Sequence, residues 1–383
     1  MKRRLAILVF LCLTLLLGLV FPDVVKKAVS RDESLPPGIT APEKRLLRIW
    51  VMEDPLSASA WLGRQAAKME KENGGISVYL RTALAQEVVN TEAVLPDLIF
   101  FGPGTIKAPE ALFIPIVGGL PVADGALRAG KWQGQQYAVP VCMDGYALVY
   151  NPALLGTVAA TPAPTPMLGI GAAHSNTPAP KAEASFDDLR TALSKVPLGK
   201  TAAFDFQSSA GMPLMLFTLL SGGKPGLPAA VLPPGFGTAG RETPLWDFAA
   251  GKSRTAVLTA SQMRNLTRQG KPYSLFPFPL PATDKYLCAG IVPGPGQDLA
   301  MRYLQTLLSP SGQQDLSQSG LMAVSQGISL YGGDPVFGGL EAKLQGDVIL
   351  PNAFSYQEQQ VKSISQSMFT NGGAILEFFE SIR

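Results

Sequence analysis

The carboxylates of this chain that could do chemistry fall where extended segments break. Asp144 interrupts two apolar runs inside GKWQGQQYAVPVCMDGYALVYNPALL, Gly130 to Leu155. That stretch reads as a turn, a strand, a break at Met143–Asp144–Gly145, and a second strand ending at Tyr150–Asn151–Pro152. Glu53 and Asp54 close another apolar run, Leu46 to Met52, and Asp205 with Phe206 closes a third, Ala202 to Phe206. A carboxylate beyond the end of a strand can accept hydrogen bonds from solute hydroxyls or pair with a cation. Covalent chemistry needs more: a positioned base and a nucleophile or metal. The single histidine, His174, sits in a Pro/Ala/Thr-rich stretch, and neither Cys142 nor Cys288 has a histidine beside it. The sequence holds no GxSxG elbow and no GxxxxGK[ST] loop. A carboxylate-pair glycosidase is the hydrolase that composition leaves open. The chemistry these residues imply is reversible binding, without catalysis, cofactor or metal.

Further candidates for ligand contact lie at comparable places. Gly102, in Gly102–Pro103–Gly104, follows the strand Leu98–Phe101, where a missing side chain lets a ligand approach the backbone. Tyr146 shares a side with Asp144 at strand periodicity. Ser261, Gln262 and Met263 follow the strand Arg254–Leu258. Each has a plain structural alternative: Asp54 as a helix cap, Gly102 as a turn, Asp144 as a hinge hydrogen bond. Trp61, Trp246 and Tyr150 fit core packing.

The elements that must position these residues alternate. Strands are expected at Leu46–Met52, Ile76–Leu80 and Leu98–Phe101, with a helix capped by Ser57 running to about Asn73. Later signals include a helix starting at Ser185–Asp188 and an apolar helix at Met212–Leu220. A helix end lies at Leu245–Ala250, and extended runs at Arg254–Leu258, Tyr273–Phe278 and Tyr286–Val292. Gln297–Leu308 reads as a helix, broken by Ser309–Pro310, and the last stretch, Gly373–Ile382, carries a helical apolar pattern. This order is that of an α/β protein. A length of 383 residues suffices for two domains. A net charge of only +3 gives no nucleic-acid footprint. With 33 prolines and 39 glycines a helical bundle is disfavoured. Residues 157–184 contain TPAPTP and NTPAPKAEA and read as a flexible surface insertion.

Met1–Lys2–Arg3–Arg4 precedes seventeen uncharged residues, Leu5 to Phe21. A signal core is shorter than this and a spanning helix needs about 20 residues. With no small-x-small cleavage site, residues 1–21 read as an uncleaved anchor before a cleaved signal, and 22–45 as a spacer. The leading charges put the N-terminus inside and the body on the extracellular face of the membrane. Export permits a disulfide between Cys142 and Cys288, while two buried free thiols are the simpler reading.

Taken in order, several segments resemble bacterial extracellular solute-binding proteins of ABC importers, of the maltodextrin- and multiple-sugar-binding type. They are LPDLIFF (Leu95–Phe101), the Gly130–Leu155 run, FAAGKSRTAVLTASQMRNL (Phe248–Leu266), YSLFPFPLP (Tyr273–Pro281), YLCAGIVP (Tyr286–Pro293) and AMRYLQTLLSPSGQQDLSQSGLMAVS (Ala300–Ser325). The resemblance implies a two-lobed periplasmic-binding-protein-like fold of type 2, with crossing hinge strands and a central cleft. The first lobe would comprise 46–142 plus 271–309, and the second 143–270 plus 310–383. It further implies capture of a small solute, with carbohydrate favoured, by hinge closure. A monomer would then deliver the solute to the transmembrane subunits of an ABC permease. A membrane-anchored sensor or structural protein on the same fold is the alternative. Ser261, Gln262 and Met263 stand where some sugar binders place tryptophan, a departure from the sugar pattern.

Overall fold

The computed structural model describes residues 44–52, 54, 56–89, 95–155, 211–220, 244–278, 281–334, 336–345 and 348–371. The expected leader, the 157–184 insertion with His174, the Ser185 helix, the Ala202–Phe206 strand and the Gly373–Ile382 stretch lie outside them.

Among the described residues, ten strands form three sheets. β1 (Arg45–Met52), β2 (Ile76–Ala83) and β3 (Leu98–Phe101) run parallel, with β1 between the other two. β4 (Lys131–Trp132) and β5 (Gln135–Gln136) make a small hairpin. Its two turn residues, Gln133 and Gly134, both have positive φ, the geometry that matches strand twist in a two-residue turn. β6 (Val139–Met143) belongs to the first sheet, whereas β7 (Tyr146–Tyr150), β8 (Thr255–Thr259) and β9 (Ser274–Pro277) form a second, antiparallel sheet in the order β8-β7-β9. β10 (Tyr286–Ile291) returns to the first sheet, antiparallel to both β3 and β6, giving the order β2-β1-β3-β10-β6. The fold is mixed α/β, as the alternation of elements implies.

Helices cover the sheets where the strands are most apolar. α1 (Ser59–Glu72) buries Trp61, Leu62, Ala66 and Met69 against the first sheet, whose Leu47, Ile49 and Val51 are fully enclosed. In the second half, α2 (Gly211–Leu220), α3 (Pro244–Ala249), α4 (Ala260–Arg268), α5 (Gln297–Leu308), α6 (Pro310–Gln314), α7 (Phe337–Gln345) and α8 (Glu358–Asn371) follow in order. α5 packs on α1: Tyr303 sits edge-on to Phe100 and its hydroxyl donates to the Leu62 carbonyl at 2.7 Å. α2 packs on α8 so closely that a Cβ on Gly211 would lie 2.5 Å from the Lys362 amide nitrogen. α4 starts with a reciprocal cap in which Thr259 and Gln262 exchange side-chain and backbone hydrogen bonds.

Three expectations are corrected. Ser57 does not cap α1; it takes a left-handed φ of 53°, and Asp54 supplies the acceptor instead. Trp246 is 59% exposed on α3, because Phe248, two residues on and about 200° around the helix, takes the core face. β9 pairs with β7, so residues 274–277 join the second sheet and the return to the first comes at 278–285 rather than near 271. Tyr150 and Trp61 are buried as expected.

Candidate functional site

The chain passes between the two sheets at Asp144–Gly145, linking β6 to β7, and again at 278–285, linking β9 to β10. Backbone geometry ties these passages together. The Asp144 amide donates to the Lys285 carbonyl at 2.7 Å, and the Thr283 hydroxyl donates to the Asp144 carbonyl at 2.6 Å. Met143 exchanges backbone hydrogen bonds with Met322, adding a third segment beside the first passage. Gly145 sits close to α7: a Cβ here would come 2.3 Å from the Leu344 Cδ1 and displace that methyl.

Asp144 is 2% exposed and its carboxylate is committed inward. It accepts from the Ser261 amide at 3.2 Å and from the Ser261 hydroxyl at 2.5 Å, so it sits at the N-terminus of α4. Burial pushes its carboxyl up to about 6, while the hydrogen bonds from Ser261 and Thr259 pull it back. Gln262 is spent on the α4 cap and Met263 is fully buried in the core. The Asp144, Ser261, Gln262 and Met263 group is therefore brought together, as a helix-start assembly at the first passage.

A cavity of about 360 Å³ opens beyond the carboxyl ends of β1 and β3, the place where ligands meet open α/β sheets. Asp54 and Gly102 line it, with Asp284, Lys285, Tyr356 and Glu358 on other sides. Asp54 takes four hydrogen bonds from the start of α1: the amides of Leu56, Ala58 and Ser59 at 3.2, 2.9 and 2.8 Å, and the Ser59 hydroxyl at 2.8 Å. Its carboxylate is the α1 cap, favourable beside the positive end of the helix dipole. Gly104, two residues beyond Gly102, has φ 82° and its amide donates to the Ala353 carbonyl at 2.7 Å. A Cβ there would lie 2.6 Å from the Tyr356 carbonyl, so glycine permits the close approach of this wall.

Asp284 forms the other wall. It is 3% exposed, and it accepts from the Tyr146 hydroxyl at 2.8 Å and the Tyr356 hydroxyl at 2.6 Å, one on each oxygen. Tyr146 thus reaches across from the second sheet to the second passage. Burial and the neighbouring Asp284 carboxylate push both phenols far above their ordinary range, so both stay protonated donors. Asp284, Lys285, Tyr356 and Glu358 were not singled out from the sequence. The Thr283–Asp284–Lys285 break before β10 resembles the Asp144 break and was open to the same reasoning. Tyr356 and Glu358 carried no comparable signal, since only the folded chain brings them beside β3.

A second cavity, about 460 Å³, lies against the Met143–Met322 bridge and is lined by Asp124, Arg128, Gln326 and Gln345 among others. Glu53, Asp205 and Phe206 lie outside the described residues. Among the described residues no group of carboxylates, histidines and cysteines is placed to hold a metal. Cys142 and Cys288 are buried free thiols, and burial raises both well above the ordinary thiol range. No helix of the described residues is long and apolar enough to cross a membrane; the Leu5–Phe21 run lies outside them.

The arrangement can hold a small polar molecule by hydrogen bonds and charge, at a place where two passages of the chain meet. Comparison with known proteins gives no matching family model and no matching curated protein.

Proposed function

We propose that the chain is an extracytoplasmic solute-binding receptor of an ABC import system, with the two-lobed type 2 architecture that its motifs resemble. The single observation that supports this most is the double passage between two sheets beside a polar cavity at strand ends. Two sheets tied by short, hydrogen-bonded segments are suited to hinge motion, and a ligand touching both sides shifts the open–closed balance by its tighter binding to the closed form. Carbohydrate is the class that the resemblance implies, the permease is the partner, and the apolar N-terminal segment holds the receptor at the extracellular face of the cytoplasmic membrane.

Calorimetry of the full chain in detergent against a panel of sugars, amino acids and amines tests the reading, with small-angle scattering on the same samples. One panel member should bind saturably and reduce the radius of gyration. Binding without compaction would count against hinge closure, and absence of any binding against the receptor itself. The long apolar N-terminal run without a small-x-small site favours a second reading, a tethered sensor. Solute uptake that survives deletion of the gene would select it.

A further inference from the structure

Among the described residues, both signs of charge line the 360 Å³ cavity without forming an ion pair. Lys285 makes no ion pair with Asp54, Asp284 or Glu358, although all four line the same space. Glu358, exposed at the start of α8, also forms no ion pair with any described residue. Opposite charges facing one cavity without meeting leave room for a molecule that bridges them.

The carboxylates differ in what they can still accept. An ionised carboxylate has about four acceptor positions. Asp54 has four hydrogen bonds already, all from the start of α1. Asp284 has two, one per oxygen, both from tyrosine hydroxyls, which leaves about two for a ligand. Glu358 accepts no hydrogen bond from a described side chain. The free capacity is therefore one ammonium, Lys285, in the same lining as the carboxylates of Asp284 and Glu358.

A neutral sugar uses this lining poorly. It would leave Lys285 and Glu358 without counter-charges, and sugar faces pack on open aromatic rings. Tyr356, the ring in this lining, is 8% exposed with its hydroxyl turned to Asp284. Building on the receptor reading above, we infer that this cavity binds a small zwitterion, an α-amino acid, whose carboxylate meets Lys285 and whose ammonium meets Asp284 and Glu358. Both contacts are charge-assisted hydrogen bonds, the strong class. Three carboxylates against one ammonium in the lining disfavour an acidic side chain on the ligand and favour a basic or neutral one.

The test is calorimetry on the full chain with L-lysine, L-alanine, L-glutamate, 1,4-diaminobutane, acetate and maltose as probes. Lysine and alanine should bind saturably, with glutamate at least tenfold weaker. Lys285→Gln should weaken the amino acids tenfold or more and leave diaminobutane unaffected or tighter. Glu358→Gln, an exposed substitution unable to disturb the core, should weaken amino acids and diaminobutane together. Maltose binding that ignores both substitutions overturns the amino-acid assignment and leaves the receptor reading intact. Diaminobutane binding more tightly than lysine also overturns it, in favour of a diamine. No binding by any probe overturns both. Far-ultraviolet circular dichroism of each variant confirms that the comparison is made between folded proteins.

Discussion

Two aspartates stand at strand ends and both serve a helix start, yet they solve different problems. Asp54, after β1, caps α1 with donors two to five residues ahead in the chain. Asp144, after β6, serves α4 with donors from Ser261, 117 residues away. The first is a local turn, its donors all lying within five residues of the acceptor. The second is a tertiary joint, made only when β8 has paired with β7 and delivered α4 to the passage. The cost differs accordingly. Asp54 stays partly open at a cavity, whereas Asp144 is enclosed and its charge is opposed by burial. The same residue type in the same kind of place is thus a cheap cap in one case and a strained, pH-sensitive joint in the other.

The largest effect should come from the buried charge. Asp144 titrates near 6 in the fold against 3.8 for an ordinary aspartate, so the folded state holds its proton more tightly than the unfolded chain. Its contribution is full below about pH 4 and is lost as pH rises through 6, on the order of 3 kcal/mol in all. Asp144→Asn should remove that loss. Thermal melts should show the variant gaining on the parent at pH 7.5 and matching it at pH 4. Equal gaps at both pH values would mean that the carboxyl is not strained by burial.

Ser261→Ala sharpens the same joint from the other side. Deleting a hydroxyl that donates to an ionised carboxylate should cost about 1.5–3 kcal/mol at pH 7.5, and less near pH 4 where the carboxyl is protonated. Urea midpoints at the two pH values read this difference, and a pH-independent cost would assign Ser261 to the α4 cap alone. Asp54→Ala tests the local joint. Its cost should be about 0.5–2 kcal/mol, and Asp54→Asn should recover most of it. Hydrogen exchange at the first turn of α1 is the direct readout. The smallest effect belongs to Arg45→Ala. Its ion pair with Asp298 is bidentate, at 2.6 and 2.8 Å, but solvent-exposed at the start of β1. No measurable shift in melting temperature is expected.

What was legible in the sequence follows the same division. α5 was read at Gln297–Leu308, the span it occupies, because its apolar residues repeat at helical spacing and Ser309–Pro310 stops it. The β6–β7 break is legible because a charged residue and a glycine interrupt two apolar runs. Ser57 has the residue type of a cap, yet Asp54 competes for the same amides and carries the charge that favours a helix N-terminus. The wall made by Asp284 and Tyr356 was not read, since a tyrosine 72 residues from its partner leaves no local pattern.

The sequence alone determined the periodicities: alternating strands and helices, and the break at Asp144. These rest on interactions within a few residues, where spacing fixes geometry. Tertiary structure decided which breaks became neighbours. It paired β9 with β7, and it turned Tyr146 and Tyr356 onto Asp284. It also buried Asp144 under α4 and left Lys285 and Glu358 facing a common space. Those outcomes depend on packing between segments tens to hundreds of residues apart, and burial, which sets the energy of each charge, exists only once that packing is complete.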